Sequence, residues 1–366
     1  MPVRRSIPTR VLPPALAVGL VLPLAACGQG GDPGASSSGA AQQGGTVTVT
    51  DARGSVEVPR SPQRVVAVDR VALDIMDYLG AEPVGVSQRV MPASLSTYAD
   101  PKYTDVGTQQ ELNFEEIAAL GPDLIVLGGR SATQYDEAKK IAPTLDITAA
   151  KGASTLDTLR TASTAIATVY GKEQQAADRV TQIEAQMAAV KAKAPSKGTG
   201  LVLMVSGGKL AAFGAGSRFG LIHEELGVRP AATNLSTDRH GQVVSFEFVK
   251  KANPDMLFVI DRDKAVGQKG QAAQAVLDNP LVRSTKAATN GQITYLDGQQ
   301  WYALGNGLNA LPGMVGEIDA ALTKAPTVTK PAAPIDAGGA GGGSGTATAG
   351  PSAAPTPSAT GTSGAS

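Results

Sequence analysis

The sequence predicts an α/β fold of two Rossmann-like lobes, with parallel-type sheets, one long rigid helix joining them and a cleft between. Three observations carry this. Short apolar, β-branched runs alternate with helical patterns through the middle of the chain. A Phe-Glu…Pro-Asp…Arg unit is written twice, as "NFEEIAALGPDLIVLGGR" (113–130) and "SFEFVKKANPDMLFVIDR" (245–262). Between the copies lies a Pro-free stretch of helix-forming Ala, Gln, Glu and Lys.

The chain opens on "MPVRRSIPTRVLPPALAVGLVLPLAAC". A basic start at Arg4, Arg5 and Arg10 precedes an apolar run too short and too Pro-broken to span a membrane. Residues 1–26 therefore read as a secretory signal peptide. Leu24-Ala25-Ala26-Cys27 resembles the bacterial lipobox, in which the cysteine is lipidated and becomes the mature N-terminus. Cys27 is the only cysteine in 366 residues, so no internal disulfide can form. Residues 27–45, Gly- and Ser-rich, form a lipidated flexible tether.

The N-terminal α/β lobe covers 46–170. "RVVAVD" (64–69), "PVGVS" (83–87) and "DLIVLGG" (123–129) are bounded by Gly, Pro or Asp, as buried parallel strands are. "RVALDIMDYLG" is a helix that Gly80 ends. Residues 171–195 form the inter-lobe helix. From Lys172 to Lys193 it runs about 33 Å at 1.5 Å per residue, and such a stiff connector permits only small relative motion of the lobes. The C-terminal α/β lobe, 196–324, repeats the pattern with "GLVLMVSG" (200–207), "DMLFVID" (255–261) and "QITYLDG" (292–298). Leu226-Gly227-x-x-Pro230 echoes Leu79-Gly80-x-x-Pro83, in the same order relative to the longer repeat. From 325 to 366 the Pro, Ala, Gly, Ser and Thr tail has no hydrophobic periodicity, and disorder is expected. Formal charge is zero and no basic stripe exists, which argues against nucleic acid as a partner.

The lipobox, the two lobes, the long helix and the repeated unit resemble the substrate-binding lipoproteins of iron–siderophore and vitamin B12 ABC importers. More narrowly, "GSRFGLIHEELG", "HGQVVSFEFVKKANPDMLFVIDRD" and "WYALGNGL" resemble the binders of catecholate siderophores of petrobactin and enterobactin type. The resemblance covers about 45–323. It implies capture of a ferric catecholate outside the cytoplasm and delivery to an ABC permease. It also implies a monomer on a lipid anchor, with no enzymatic activity and no intrinsic cofactor.

Arg130 and Arg262 each follow an apolar strand, so each stands at a strand's C-terminal end, where open α/β sheets bind ligands. Arg218, in "GAGSRFG", opens a helix after a Gly-rich turn, again at a sheet's C-terminal edge. The family has pocket arginines at positions matching all three. Guanidiniums gathered in one cleft repel unless an anion balances them. A ferric tris-catecholate, or a catecholate-carboxylate complex, supplies charge and planar rings that suit arginine. A nearly neutral hydroxamate complex does not need them.

His240 lies in the polar loop "STDRHGQVVSF", and the only other histidine, His223, falls in a helical pattern as a partly exposed residue. The resemblance implies that His240 and Tyr302 complete the iron shell of siderophores supplying only four oxygen donors. The bland alternative is that His240 hydrogen-bonds the ligand or a loop carbonyl. Tyr295, inside a strand pattern, is the weaker tyrosine. Trp301 is a candidate pocket wall. Glu115 and Glu247 stand at matching positions in the first turn of a helix. The helix dipole alone could explain them; the resemblance implies one permease contact per lobe.

No Gly-x-Ser-x-Gly elbow, His-Glu-x-x-His or Walker Gly-Lys-(Ser/Thr) occurs. Two histidines are too few for a bare Zn²⁺ or Mn²⁺ carrier. A haem or corrinoid carrier of the same fold is the alternative, and it would gain little from anion-seeking arginines.

Overall fold

The computed structural model describes residues 45–338. The signal-like segment, Cys27, the tether before 45 and the chain beyond 338 lie outside the described residues.

Ahead of the first sheet, "TVTVTDARGSVEVP" pairs as an antiparallel hairpin, β1 (Thr46–Asp51) with β2 (Gly54–Pro59). Its alternation sends Val49 and Val58 into the core and leaves Thr48 and Glu57 in water. A search for buried strands passes over such a half-exposed ribbon.

In the N-terminal lobe β3 (Val65–Ala67), β4 (Gly85–Val86), β5 (Thr104–Asp105), β6 (Leu124–Leu127) and β7 (Thr144–Asp146) pair in parallel. Their order is β5-β4-β3-β6-β7. Helix α1 (Arg70–Leu79) starts on Asp69, whose carboxylate accepts from the Val71 and Ala72 amides. It stops at Gly80, which adopts φ 67°. Helices α2 (Phe114–Ala119) and α3 (Tyr135–Ala138) are short. Helix α4 (Thr155–Tyr170) ends at left-handed Gly171.

The connector α5 (Glu173–Lys193) runs 21 residues without a break. Its buried side chains Ala176, Val180, Ile183, Met187 and Val190 recur at four- and three-residue steps, which makes one apolar seam. Fully burying a side chain of the Val, Ile or Met kind contributes about 1.5–3 kcal/mol. At its start Gln175 Nε2 donates to Tyr78 O of α1 (3.1 Å). Further along, Gln186 Nε2 donates to Pro312 O (3.0 Å) and Lys193 pairs with Asp319 (2.6 Å), both in the second lobe. One helix is therefore fastened to both lobes.

In the C-terminal lobe β8 (Thr199–Ser206), β9 (Lys209–Phe213), β12 (Gln242–Val244), β13 (Met256–Asp261) and β14 (Ile293–Leu296) run in the order β12-β9-β8-β13-β14. Two short strands stand apart: β10 (Arg229–Pro230) on β8 and β11 (Ala232–Thr233). The sheet is mixed, not purely parallel. β9 turns back along β8 through Gly207 and Gly208, both at positive φ, the backbone of a tight hairpin turn. "SGGK" is the hairpin signal, and β12 then pairs antiparallel to β9. Helices α6 (Leu221–Glu224) and α7 (Phe246–Ala252) precede the one-turn helices α8 (Arg262–Ala265), α9 (Ala273–Val276), α10 (Pro280–Arg283) and α11 (Lys286–Thr289). The long α12 (Ala310–Lys324) lies against α5.

The chain keeps packing after 324, where composition alone predicts a structureless tail. Strand β15 (Ile335–Asp336) pairs with β11, and Ala337 is buried. A two-residue strand carries no periodicity that a sequence window can detect.

The repeat also has a structural half. Asp123 accepts from the Gln63 and Arg64 amides (2.8 and 3.0 Å), pinning the entry to β3. Asp255 accepts from the Thr199 amide (2.8 Å), pinning the start of β8. In both lobes the Pro-Asp pair ties its own strand to the lobe's central strand.

The lobes also meet at Asp74 of α1, which is fully buried. Its Oδ1 accepts from the Asn309 amide (2.8 Å), and its Oδ2 has no partner. Burial, with Asp77 nearby, pushes this carboxyl up to about 7. Its proton is held in the fold and lost in the unfolded chain between about pH 4 and 7. Stability should therefore fall across that window by about 1.4 kcal/mol per pH unit. Asp74→Asn keeps the acceptor and should remove this decline. Denaturant titrations of both proteins at pH 4.5, 6 and 8 test it. Parallel curves for the two would show that Asp74 is ionised throughout.

Candidate ligand-binding site

In each lobe the strand order reverses beside the first strand: between β3 and β6, and between β8 and β13. Ligands of open α/β sheets bind at that switch point, outside the carboxyl ends. Arg130 follows β6 and Arg262 follows β13, so the repeated unit delivers its arginine to the equivalent place in each lobe. Arg218 arrives differently from expectation. β9 is antiparallel, so its end lies beside Val202, in the N-terminal half of β8. The loop from Gly214 to Gly220 carries Arg218 back to the cleft, where its Nη2 donates to Tyr302 O (3.1 Å).

The three arginines surround one ring. Arg218 Cζ lies 4.5 Å from the Tyr302 centroid, and Arg130 and Arg262 each lie 5.8 Å away. Arg262 Nε donates to the Tyr302 hydroxyl (3.3 Å). Burial pushes the phenol up, but the Arg262 hydrogen bond and the three cations outweigh it. The net shift is downward. Tyr302 sits on a π-helical turn, Gln299–Leu304, a local widening of the helix that is frequent at functional sites.

A cavity of about 510 Å³ opens at this place. Its wall holds Arg130, Arg262 and Tyr302, and also Arg70, Arg89, Arg239, Gln109 and Gln268. No carboxylate among the described residues lines it. Sequence reasoning missed Arg70, although Arg70 follows β3 by the same strand-end rule that finds Arg130. Arg239 stands beside the histidine that drew attention.

His240 is exposed on the turn Asp238–Gly241 and is not part of the wall; its neighbour Arg239 is. Its amide donates to Asp238 Oδ1 (2.8 Å), and Gly241, at φ 72°, lies where a Cβ would strike Phe213. Trp301 is not a pocket wall. It is 3 % exposed, packs in the main core and donates from Nε1 to Glu317 (2.6 Å). On the π turn, Tyr302 faces the cavity and Trp301 faces the core. Nor is His223 partly exposed: it is buried, its Nδ1 lies 2.9 Å from Val228 O, and burial holds its pKa down. Tyr295 is exposed on β14, away from the cavity wall. Glu115 and Glu247 are exposed at the second residue of α2 and α7, which Asn113 and Ser245 cap in the same way. Each helix follows the carboxyl end of a strand: Asn113, the cap of α2, donates from its amide to Val106 O beside β5, and Glu247 lies three residues past β12.

Residues 65–300 match the model of the periplasmic binding protein family. The petrobactin-binding protein YclQ of Bacillus subtilis is 38% identical over 275 residues, 74% of this chain and 86% of that protein. Its crystal structure covers 76% of this chain and 99% of its own, with a TM-score of 0.72. The ferric-anguibactin-binding protein FatB of Vibrio anguillarum is 32% identical over 72% of this chain and 84% of its own. The periplasmic catecholate-siderophore binding protein VctP of Vibrio cholerae aligns at 34% identity and a TM-score of 0.71, over 75% of this chain and all of its own. With the matched region spanning both lobes and the cleft between them, the chain belongs to the periplasmic binding protein family.

Proposed function

We propose that this protein captures an anionic ferric siderophore of catecholate type outside the cytoplasm and delivers it to an ABC permease for iron uptake. The observation that carries this is the guanidinium cage about Tyr302, beside a cavity that Arg130, Arg262 and Tyr302 line and that no carboxylate among the described residues lines. Of the three guanidiniums about the ring only Arg262 is paired with an acid, Asp263 at 3.2 Å, so the cage favours an anionic cargo, and a flat, electron-rich chelate can also stack on it. Names of the relatives support the ligand class. Tyr302 and His240 would complete the iron shell when the siderophore leaves positions open. Glu115 and Glu247 would each engage the permease, one per lobe. The protein acts as a monomer and as a carrier, with no cofactor of its own.

The test is a screen of tryptophan quenching against ferric catecholate, ferric hydroxamate and haem. Trp301, the sole tryptophan, lies one residue from Tyr302. Ferric catecholates are expected to bind tightly, with their broad visible band retained. A hydroxamate binding more tightly than a catecholate would sink the reading, and a Soret band from a haem complex would favour the haem alternative.

Lipidation at Cys27 would keep the carrier at the outer face of the membrane. The lone cysteine and the tether after it support this. Cys27→Ser should move the protein from the membrane fraction to the soluble one; a variant that stays would place the anchor elsewhere.

A further inference from the structure

After α12 the chain runs back along the C-terminal lobe to the loop that carries Arg239 into the cavity. The Val328 amide donates to Ser196 O (2.8 Å) on the way. Strand β15 then pairs in parallel with β11: the Ile335 amide donates to Ala231 O (3.0 Å) and the Ala337 amide to Thr233 O (2.9 Å). Ala337 is 1 % exposed and shares an apolar cluster with Leu235 and Phe248.

Between β11 and β12, residues 234–241 form neither helix nor strand. Both ends of this loop are tied to β15. At its start Asn234, left-handed at φ 57°, donates from Nδ2 to Asp336 Oδ1 (3.0 Å). The Gly338 amide donates to the same oxygen (2.8 Å) and fixes that carboxylate. Just past the loop's end Gln242 donates from Nε2 to Ala337 O (3.4 Å), while its Oε1 accepts from the Ser236 amide (3.1 Å).

The loop bears on the cavity twice. Arg239 lines the wall. The loop also abuts the segment that brings in Arg218: a Cβ on Gly214 would lie 3.3 Å from Leu235 Cβ, and one on Gly216 would lie 3.1 Å from Thr237 Cγ2. Burial first, and then the charges of Arg130 and Arg239, lower the Arg218 pKa, which places Arg239 near the guanidinium cage. No hydrogen bond or ion pair among the described residues holds the Arg239 side chain, so the backbone beneath it decides where its charge falls. Ordering an irregular loop costs conformational entropy at every residue, and ties made before a ligand arrives spare the binding step that cost.

We infer that β15 is a strap that pre-orders the loop 234–241 and so sets Arg239 at the cavity, with Asp336 as its positioning residue. The strap goes beyond the proposed function; only its effect on affinity rests on the ferric catecholate reading. The ties stand at the loop's ends, so the Asp238–Gly241 turn can still pivot between them.

The test uses the full chain and two readouts. One is hydrogen exchange without ligand at the His240 and Gly241 amides, which bond to Asp238. The other is titration with a ferric hexadentate tris-catecholate, whose saturated iron leaves His240 out. Ala337→Glu puts a charge where β15 packs and should release the strap. Exchange at both amides should then rise about tenfold, with the amides of α5 unchanged, and affinity should fall about fivefold. Asp336→Ala, at an exposed position, cuts only the tie to Asn234 and should give the same pattern at about threefold. Asp336→Asn keeps the acceptor and should restore both readouts. In an Arg239→Gln background neither Ala337→Glu nor Asp336→Ala should lower affinity further, because the strap acts through Arg239. Losses that persist there would make β15 a general stabiliser and overturn the inference, as would unchanged exchange in both variants. If Ala337→Glu does not fold, Asp336→Ala and its Asn rescue decide alone. A wild type that does not bind the complex would overturn the function proposed above, and the exchange rates would still decide the strap.

Discussion

Neutralising Arg218 should weaken a ferric catecholate by about 1.5–3 kcal/mol, roughly twelve- to 150-fold, the range for hydrogen bonds to charged groups. Arg218 is the guanidinium nearest the Tyr302 ring, and its Nη2 fixes the backbone of the π turn. Arg262→Gln should cost a similar amount by a different route. Arg262 already donates to Tyr302, Gln268 and Asp263, so its loss also releases the phenol it holds. Arg130 makes no hydrogen bond or ion pair with a protein group among the described residues, and its cost should be the most purely electrostatic. Raised salt should therefore erode the Arg130 contribution more than the other two. Because all three act on one ligand, the triple variant should lose less than the sum of the single losses. Direct titration of each variant at two salt concentrations checks this; strict additivity would mean that the arginines do not share a ligand.

The strand-end rule made Arg130 and Arg262 legible from sequence, because each closes an apolar run and each run is a parallel strand. The same rule, applied to "RVVAVD", reaches Arg70, so that residue was hidden by choice of motif and not by physics. Arg218 was legible as a residue but not as a position. Its strand turns back at Gly207-Gly208, and only a sheet topology tells which end the following loop serves. Trp301 and Tyr302 show a different limit. Adjacent residues normally point apart, and which of the two faces a cavity depends on the π-helical winding of Gln299–Leu304. No propensity scale reports that winding. The buried His223 was missed for a similar reason. "LIHEEL" reads as an amphipathic helix, but only a single turn of it is helical, and the ring packs onto Val228 O instead of facing water. The two lobes were legible because periodicity and a repeated unit both reported them. The hairpin β1–β2 and the strand β15 were not, being half-exposed or too short.

Tyr302→Phe should alter the visible and circular-dichroism spectra of a bound ferric bis-catecholate and leave those of a hexadentate tris-catecholate almost unchanged. The phenol is prepared for a hard metal. Burial raises its pKa, but the Arg262 bond and the surrounding cations bring it below the ordinary tyrosine value, so less free energy is needed to release its proton. A bis-catecholate leaves two positions open on iron, and a phenolate entering one of them shifts the charge-transfer band and fixes the handedness of a labile complex. A tris-catecholate is already saturated. His240 is the second candidate donor, and its geometry makes a sharper demand. The imidazole stands outside the cavity wall, on the turn whose Arg239 lines it, so coordination requires that turn to swing inward when the complex binds. His240→Ala should then change the bis-catecholate spectrum without touching the free protein's stability, since the side chain is exposed. The Tyr302 change should also persist in the His240 variant, each residue filling its own position. Equal losses of affinity for both complexes in both variants would reduce the two residues to pocket shape. A spectrum that responds to Tyr302→Phe alone would leave His240 outside the iron shell, on the exposed turn beside the cavity.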